Sequence, residues 1–489
     1  GSVDAWLPGD QCYSEGWSMG RVVQLAASEV ESAALDGSLA PDDILLLEGS
    51  APAELPAIAG LLTLEPSTPN SHTAILAQSY GIPFAYLRQE ESQARALELS
   101  GKLIALGASS GFGGYCRVRL FDLSEVENNI IDMLREMSRL DPLSYPAKAL
   151  HGSFTTGADQ LRPIDINTVG GKAAHYGVLR AILPDNSRPA IALTMDLWDA
   201  FMDQPLVGGQ RLGDRITQRL GEFSWPPNMA ELDSALDEVR TLIKDPSQFS
   251  SGRFSTAMRT EIESALSSFD ASKRLRFRSS TNVEDGATFT GAGLYDSVSG
   301  CLADDTDDDE LGPSLCNSAK AEERGVYRAI AKVYASFYRR NAFVERLRRG
   351  VDEDEVGMSV LVHHSFPDET EIANGVAILE RNSSDRIEIV SQPGAVSVTN
   401  PDDAFSPEIV VATHYLQLGT FLNKLQGAAL LLLGQSVMTW DQDYLDLSAL
   451  LVSVADYFQQ QSNTLHFLLD FEFKKITPDE LVVKQVRPL

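Results

Sequence analysis

Apolar residues near the start of the chain fall into short runs that favour strands. Residues 20–25 and 44–47 read as two, the second following the turn at 41–43. Residues 102–106 and 116–121 read as a strand pair across a Gly/Ser turn, so 12–120 is predicted to be a small α/β unit. From 124 to 140 the spacing turns helical, with Val126, Ile130, Ile131, Met133 and Leu134 on the apolar positions. A looser stretch carrying Pro142, Pro146 and Gly152 follows. The pattern thus divides the chain into a first unit (1–121), a helical connector (122–155) and a larger two-lobed region (156–489). In the last, helical spacing covers roughly 228–268 and 319–349, and strand-like runs cover 356–362, 374–379 and 387–398. The expected class is a multidomain mixture of α/β and α+β.

Composition narrows the functions open to such a chain. A length of 489 residues allows several compact cores. A formal net charge of −29 argues against nucleic acid or an anionic membrane as partner, so any anion site must be a local basic pocket. Cys12, Cys116, Cys301 and Cys316 lie far apart without Cys-x-x-Cys spacing, which suggests neither disulfides nor zinc and makes the cytoplasm the expected location. The late apolar run at 428–433 is too short to span a bilayer, and no signal peptide is read. Gly1-Ser2, without a methionine, reads as a cloning junction, with natural sequence expected upstream. The acidic run 303–310 lacks the glycine and distal glutamate of a calcium loop and reads as a solvated loop. Arg339, Arg340, Arg346, Arg348 and Arg349 read as the charged outer face of an amphipathic helix.

Four segments carry candidate chemistry. In Glu65-Pro-Ser-Thr-Pro-Asn-Ser-His-Thr-Ala-Ile-Leu-Ala-Gln-Ser-Tyr-Gly81 a turn delivers His72 to the start of an apolar helix that stops at Gly81. Backbone N–H groups at a helix start favour a phosphoryl group there, although a capping or core histidine has the same look. Val169-Gly-Gly-Lys-Ala-Ala-His-Tyr-Gly177 lets the backbone approach a phosphate beside Lys172, or is simply a turn; His175 reads as packing. Residues 275–297 bring up Arg278, then Ser279, Ser280, Thr281, Asn282, Glu284 and Asp285, and then a small-residue loop from Thr290 and Gly291 suited to cover phosphates. At the C-terminus, strand alternation puts Asp470 and Glu472 on one face and pairs Gln485 with Arg487, forming either a magnesium-holding hairpin or a surface hairpin with a salt bridge.

Together these motifs resemble the ATP-grasp dikinases that work through a swivelling phosphohistidine domain, a family that includes phosphoenolpyruvate synthase, pyruvate phosphate dikinase and the glucan water dikinases. The resemblance runs from about residue 12 to the end. It implies a small swivelling phosphohistidine domain, then a two-lobed ATP-grasp region. His72 would be the phosphoryl carrier, and Lys172, Arg278, Ser280, Thr290, Gly291 and Arg487 would bind ATP. Glu472 and Gln485 would hold Mg2+ or Mn2+, and the stretch Val360 to His363, with Val360 and Val362 as the contacts, would sit at the adenine hinge. The family usually writes the carrier site Gly-Gly-x-x-Ser/Cys-His, whereas Ser67-Thr-Pro-Asn-Ser-His72 stands here. The order, histidine unit first and ATP region last, is similar to the glucan water dikinases and leaves no room for a ~250-residue acceptor barrel. The implied reaction leaves the β-phosphoryl on His72, releases AMP and passes the group to a small-molecule or carbohydrate acceptor, whose binding domain is expected outside this sequence. A carboxylate-activating ATP-grasp ligase and a regulatory nucleotide-binding module are the alternatives.

Overall fold

The computed structural model describes residues 9–49, 55–67, 72–110, 116–138, 142–284, 294–307, 312–366, 370–396, 398, 406–432, 434–462 and 464–489. The first unit comprises β1 (Gln11–Ser14), β2 (Gly16–Ala26), α1 (Val30–Asp36), β3 (Ile44–Glu48), β4 (Gly60–Thr63), α2 (His72–Tyr80), β5 (Phe84–Tyr86), α3 (Glu90–Glu98), β6 (Leu103–Ser110) and β7 (Cys116–Asp122). Its seven strands form one sheet in the order β1-β5-β4-β3-β2-β6-β7. The β2–β5 core is parallel, and β1, β6 and β7 add antiparallel. Parallel strands covered on both faces need an unbroken apolar run, which Ile44, Leu45, Leu46 and Leu47 supply at zero exposure. α2 ends as the sequence predicts: Gly81 adopts φ 65°, and Ile82 N donates to Ala77 O while Gly81 N donates to Gln78 O. Next comes α4 (Asn128–Met137), none of whose residues is buried.

The second layer system holds β8 (Thr155–Gly157), α5 (Ile166–Ile182), β9 (Ala190–Leu193), α6 (Met195–Met202), α7 (Leu212–Leu220), α8 (Met229–Lys244), α9 (Thr256–Leu266), β10 (Leu275–Thr281), β11 (Ser297–Gly300), α10 (Val326–Ser336), α11 (Arg340–Arg348) and β12 (Met358–His364). Its sheet runs β11-β10-β12-β9-β8. The third holds β13 (Ala373–Arg381), β14 (Asp385–Pro393), β15 (Glu408–Tyr415), β16 (Gly419–Gln426), α12 (Gln442–Ser462), β17 (Phe467–Thr477) and β18 (Glu480–Pro488) in an antiparallel sheet ordered β16-β15-β14-β13-β17-β18. α5 lies between the two sheets. Its Val169, Ala173, Ala174, Val178 and Leu179 share one apolar core with Leu361 of β12 and with Phe471, Phe473 and Val483 of β17 and β18. The first unit rests on the helical side, where α1 packs on α8, Arg340 pairs with Glu31 at 3.5 Å and Asn341 donates to Leu55 O. No helix among the described residues is long and apolar enough to cross a membrane.

Three expectations are corrected. The cysteines are paired, Cys12 with Cys116 and Cys301 with Cys316, and none is free. Their spacing hid this because β1 and β7, the two edges of the first sheet, are brought into contact across 104 residues of chain. The paired cysteines remove the argument that led to the cytoplasm. The arginines of α11 are not an outer face: Arg346 is fully buried, its guanidinium 3.7 Å over the Phe337 ring, paired with Glu353 at 2.6 Å and donating to Phe337 O. Aromatic stacking and a carboxylate partner make that burial tolerable. Nor is the acidic run uniformly solvated, for Asp304 is buried and accepts from Leu315 N and Arg324 N.

Closing a loop of 104 residues restricts the unfolded chain, so the double substitution Cys12→Ser, Cys116→Ser should lower stability by about 2–4 kcal/mol. Denaturant midpoints of the oxidised protein and this variant measure it, and alkylation of the unfolded, unreduced wild type should find no free thiol.

Candidate functional site

β10 presents its residues alternately to two environments. Leu275 and Phe277 enter the core on the helical side, leaving Arg276, Arg278 and Ser280 to face α5 and the six-stranded sheet. Arg278 is 8% exposed; its Nη1 donates to Lys484 O at 2.7 Å and its Nη2 to Gln485 Oε1 at 2.5 Å. The hairpin of β17 and β18 pairs Asp470 with Arg487 and Glu472 with Gln485, so the predicted common face is present. A bulge after Glu472 then turns Lys484 to the same side, where its Nζ lies 2.8 Å from Glu472 Oε2. Arg487 Nε lies 2.6 Å from Asp470 and its Nη2 3.5 Å from Glu472, while Arg278 Nη2 is 3.9 Å from Glu472. Burial pushes the Glu472 carboxyl up, but Lys484, Arg278 and Arg487 outweigh it and hold the group far below the usual carboxylate range. Burial likewise depresses Lys484, with Arg278 adding repulsion and Glu472 opposing both.

Lys172 meets β10 from α5. The helix is broken at Gly170, which adopts φ 74° and packs so closely that a Cβ would lie 2.3 Å from Ser280 O. Ser280, fully buried, pins the break: its Oγ donates to Val169 O at 2.8 Å and accepts from Ala173 N at 2.9 Å. The helix therefore restarts one residue before Lys172, whose Nζ donates to Ser279 O at 2.8 Å and sits 3.4 Å from Glu284. Glu284 in turn accepts from Thr281 N, and its own N–H bonds Thr281 Oγ1, closing a tight turn after the strand.

The structure thus brings Arg278, Glu472, Gln485 and Arg487 together between the sheets, while Lys172 and Ser280 are joined to the same strand β10 through Ser279, Glu284 and the α5 backbone, the Ser280 hydroxyl being committed to that backbone. Val360 and Val362 are not brought there. Both are fully buried on the helical side, in a strand hydrogen-bonded on both edges by β10 and β9. Their neighbour His363 takes the other face, its ring parallel to that of Tyr176 at 6.1 Å. Its Nδ1 lies 2.8 Å from His364 O and so carries the proton, leaving Nε2 an acceptor, buried and without a hydrogen-bond partner among the described residues. Burial, then Arg278, lowers the imidazole to about 3. His72 is the first residue of α2, in the first unit. Asp285, Thr290 and Gly291 lie outside the described residues.

Lys484 was missed as a site residue. Lys484 carried a signal, as a polar residue beside Gln485 and Arg487 in a strand whose apolar residues are Leu481, Val482, Val483 and Val486. Strict alternation nevertheless assigns it the opposite face. As for metal, no group of three or more His, Cys, Asp or Glu is found among the described residues. The donors present are one carboxylate and one amide oxygen, Glu472 and Gln485, which suit a hard cation sharing its shell with phosphate oxygens. In amino-acid sequence the chain matches the family described as pyruvate phosphate dikinase, AMP/ATP-binding domain, over residues 166–420. The match takes in Lys172 and Arg278 and stops before the β17–β18 hairpin.

A histidine neutral down to about pH 3 when folded, but protonated near 6.5 when unfolded, binds fewer protons in the native state between those values. Its contribution is complete above about pH 6.5 and is lost as pH falls, at up to roughly 1.4 kcal/mol per unit. In urea titrations from pH 7 to 4, His363→Gln should show a flatter decline than wild type. Parallel declines would contradict the assignment.

Proposed function

Because the chain belongs to the pyruvate phosphate dikinase AMP/ATP-binding family, we propose that it is an ATP-dependent phosphotransferase of the dikinase type, with His72 as the phosphoryl carrier. The observation that carries this reading is the gathering of Arg278, Lys484 and Arg487 around Glu472, with Lys172 held on the same strand β10, in a chain of net charge −29. These four cations, each charge-paired with Glu284, Glu472 or Asp470, are suited to a polyanion that can displace those carboxylates. The nucleotide triphosphate would lie between the two sheets, with Lys172, Arg278 and Arg487 on its phosphates. His363 offers an acceptor to a purine amine, and Tyr176 shields that imidazole from water.

Mg2+ or Mn2+ would be held by Glu472 and Gln485 and would supply charge neutralisation of the phosphates. The residues' own work is positional. Lys172, Arg278 and Arg487 align the chain of phosphates and bear the charge that develops on the leaving oxygen. His72, at the start of α2, attacks with an unprotonated ring nitrogen. An N–P bond forms as the β-phosphorus parts from the oxygen it shares with the α-phosphate; AMP leaves, and the γ-phosphoryl passes to water or phosphate. The first unit would then carry the β-phosphoryl to an acceptor, a small molecule or a carbohydrate. A helix with no buried residue, α4, joins that unit to the rest and costs little packing to move.

The test is incubation with ATP labelled separately at the β and γ positions, followed by mass mapping. Label from the β position should appear as an acid-labile adduct on His72 with stoichiometric AMP, and His72→Ala should abolish both. ADP formation with no histidine adduct would overturn the carrier role in favour of a ligase.

A further inference from the structure

β16 closes the six-stranded sheet at the end opposite β18, and among the described residues it pairs with β15 alone. None of its residues is buried. An edge strand offers a row of main-chain donors and acceptors to another strand, and charged side chains or proline are the usual guards against that. β16 has no proline. Its one charged residue, Lys424, is engaged inward, its Nζ 2.8 Å from the fully buried Glu408 and 4.7 Å over the Trp440 ring.

The apolar residues around this edge stand in the open. At the hairpin tip Leu416 is 94% and Leu418 73% exposed, and Leu432, in the turn after the strand, is 76% exposed. Phe421 and Leu425, on one face of β16, are more than half exposed. With Leu430 these side chains leave roughly 600 Å² of apolar surface, close to the ~800 Å² that each partner of a standard interface buries. Charge is missing from the same segment. Residues 409–440 contain no aspartate or glutamate, in a chain that has 69 among 489 residues. A basic partner would be drawn to acidic surface and gains nothing from such a gap. A second body of the same net charge, −29, gains the one approach that like charges do not oppose.

We propose that β16 is a homodimer interface, at which two copies of this chain join edge to edge, antiparallel about a twofold axis, so that two six-stranded sheets become one. Apolar residues lie at both ends of β16, in the tip at 415–418 and the turn at 428–432, and a groove lined by Ala428, Leu431, Leu432 and Trp440 opens beside that turn. Antiparallel pairing lays the beginning of one strand against the end of its twin, which carries each hairpin tip toward the other copy's turn and groove. With Asn423 on the axis, Phe421 of each copy faces Leu425 of the other, an aromatic–aliphatic pair on one face of the sheet. An axis at Lys424 would instead set two ammonium groups side by side. The interface lies five strand spacings from β18, on the order of 24 Å, so neither cationic cluster is covered by it.

Sedimentation velocity of the whole chain, up to about 100 μM, tests the proposal. A monomer–dimer equilibrium is expected, and added NaCl should strengthen it, because screening removes the residual repulsion between two bodies of like charge. Phe421→Glu combined with Leu425→Glu sets like charges across the axis and should raise the dimer Kd at least about tenfold. Leu315→Glu, at an exposed leucine in the loop before α10, should leave it unchanged. Because the four native cysteines are paired, Asn423→Cys reports the axis directly, and mild oxidation should link it to its twin. A monomer throughout, a dimer that salt dissociates, or a dimer indifferent to the double substitution overturns the proposal. Where the double variant does not fold, Asn423→Cys decides, and failure to cross-link overturns it equally.

Discussion

The arrangement turns on one carboxylate, Glu472, held among Lys484, Arg278 and Arg487. These groups come from two different sheets, so their attraction fixes how β10 lies against β17 and β18. Breaking such a half-buried set by removing one member leaves the rest uncompensated, which costs far more than a surface ion pair contributes. Around it, the Gly170 break and the Ser280 hydroxyl set the height at which α5 presents Lys172. The bulge after Glu472 sets the direction of Lys484. Two departures from regular secondary structure, one in a helix and one in a strand, thus build the cluster.

The charges on these side chains nearly cancel. Lys172, Arg278, Lys484 and Arg487 face Glu284, Glu472 and Asp470. A protein with a net charge of −29 cannot leave four cations bare at a cleft without attracting its own acidic surface, and the internal carboxylates prevent that. The cost would fall on the proposed nucleotide, which would have to displace them. A divalent cation arriving with the anion has a partner ready in each displaced carboxylate, which gives the proposed metal a thermodynamic role apart from any catalytic one.

Much of this was legible in the order of residues. Period-two alternation placed Asp470 with Glu472 and Gln485 with Arg487, because a hairpin with one polar face leaves little freedom of register. The Gly-Gly pair before Lys172 and the hydroxyl run after Arg278 were also visible, since such polarity between strands is costly unless it is used. What was hidden required long-range geometry. Lys484 turns inward through a bulge that local alternation excludes. Val360 and Val362 were indistinguishable from Leu361 and His363 until the sheet had acquired two packed sides. Cys12 and Cys116 meet only because a seven-stranded sheet brings its edges together. Arg346 is buried by Phe337 and Glu353, partners that periodicity on a helical wheel does not reveal.

The most direct measurement of the central claim is calorimetric titration of the whole chain with ATP, in Mg2+ and in EDTA, for wild type and Glu472→Gln. If Glu472 balances the cations until a metal takes it, wild type should bind ATP more tightly with Mg2+ than without. Glu472→Gln should bind metal-free ATP more tightly than wild type does and should lose the enhancement by Mg2+. Equal wild-type affinity in the two conditions, or an enhancement that survives in Glu472→Gln, would contradict the account.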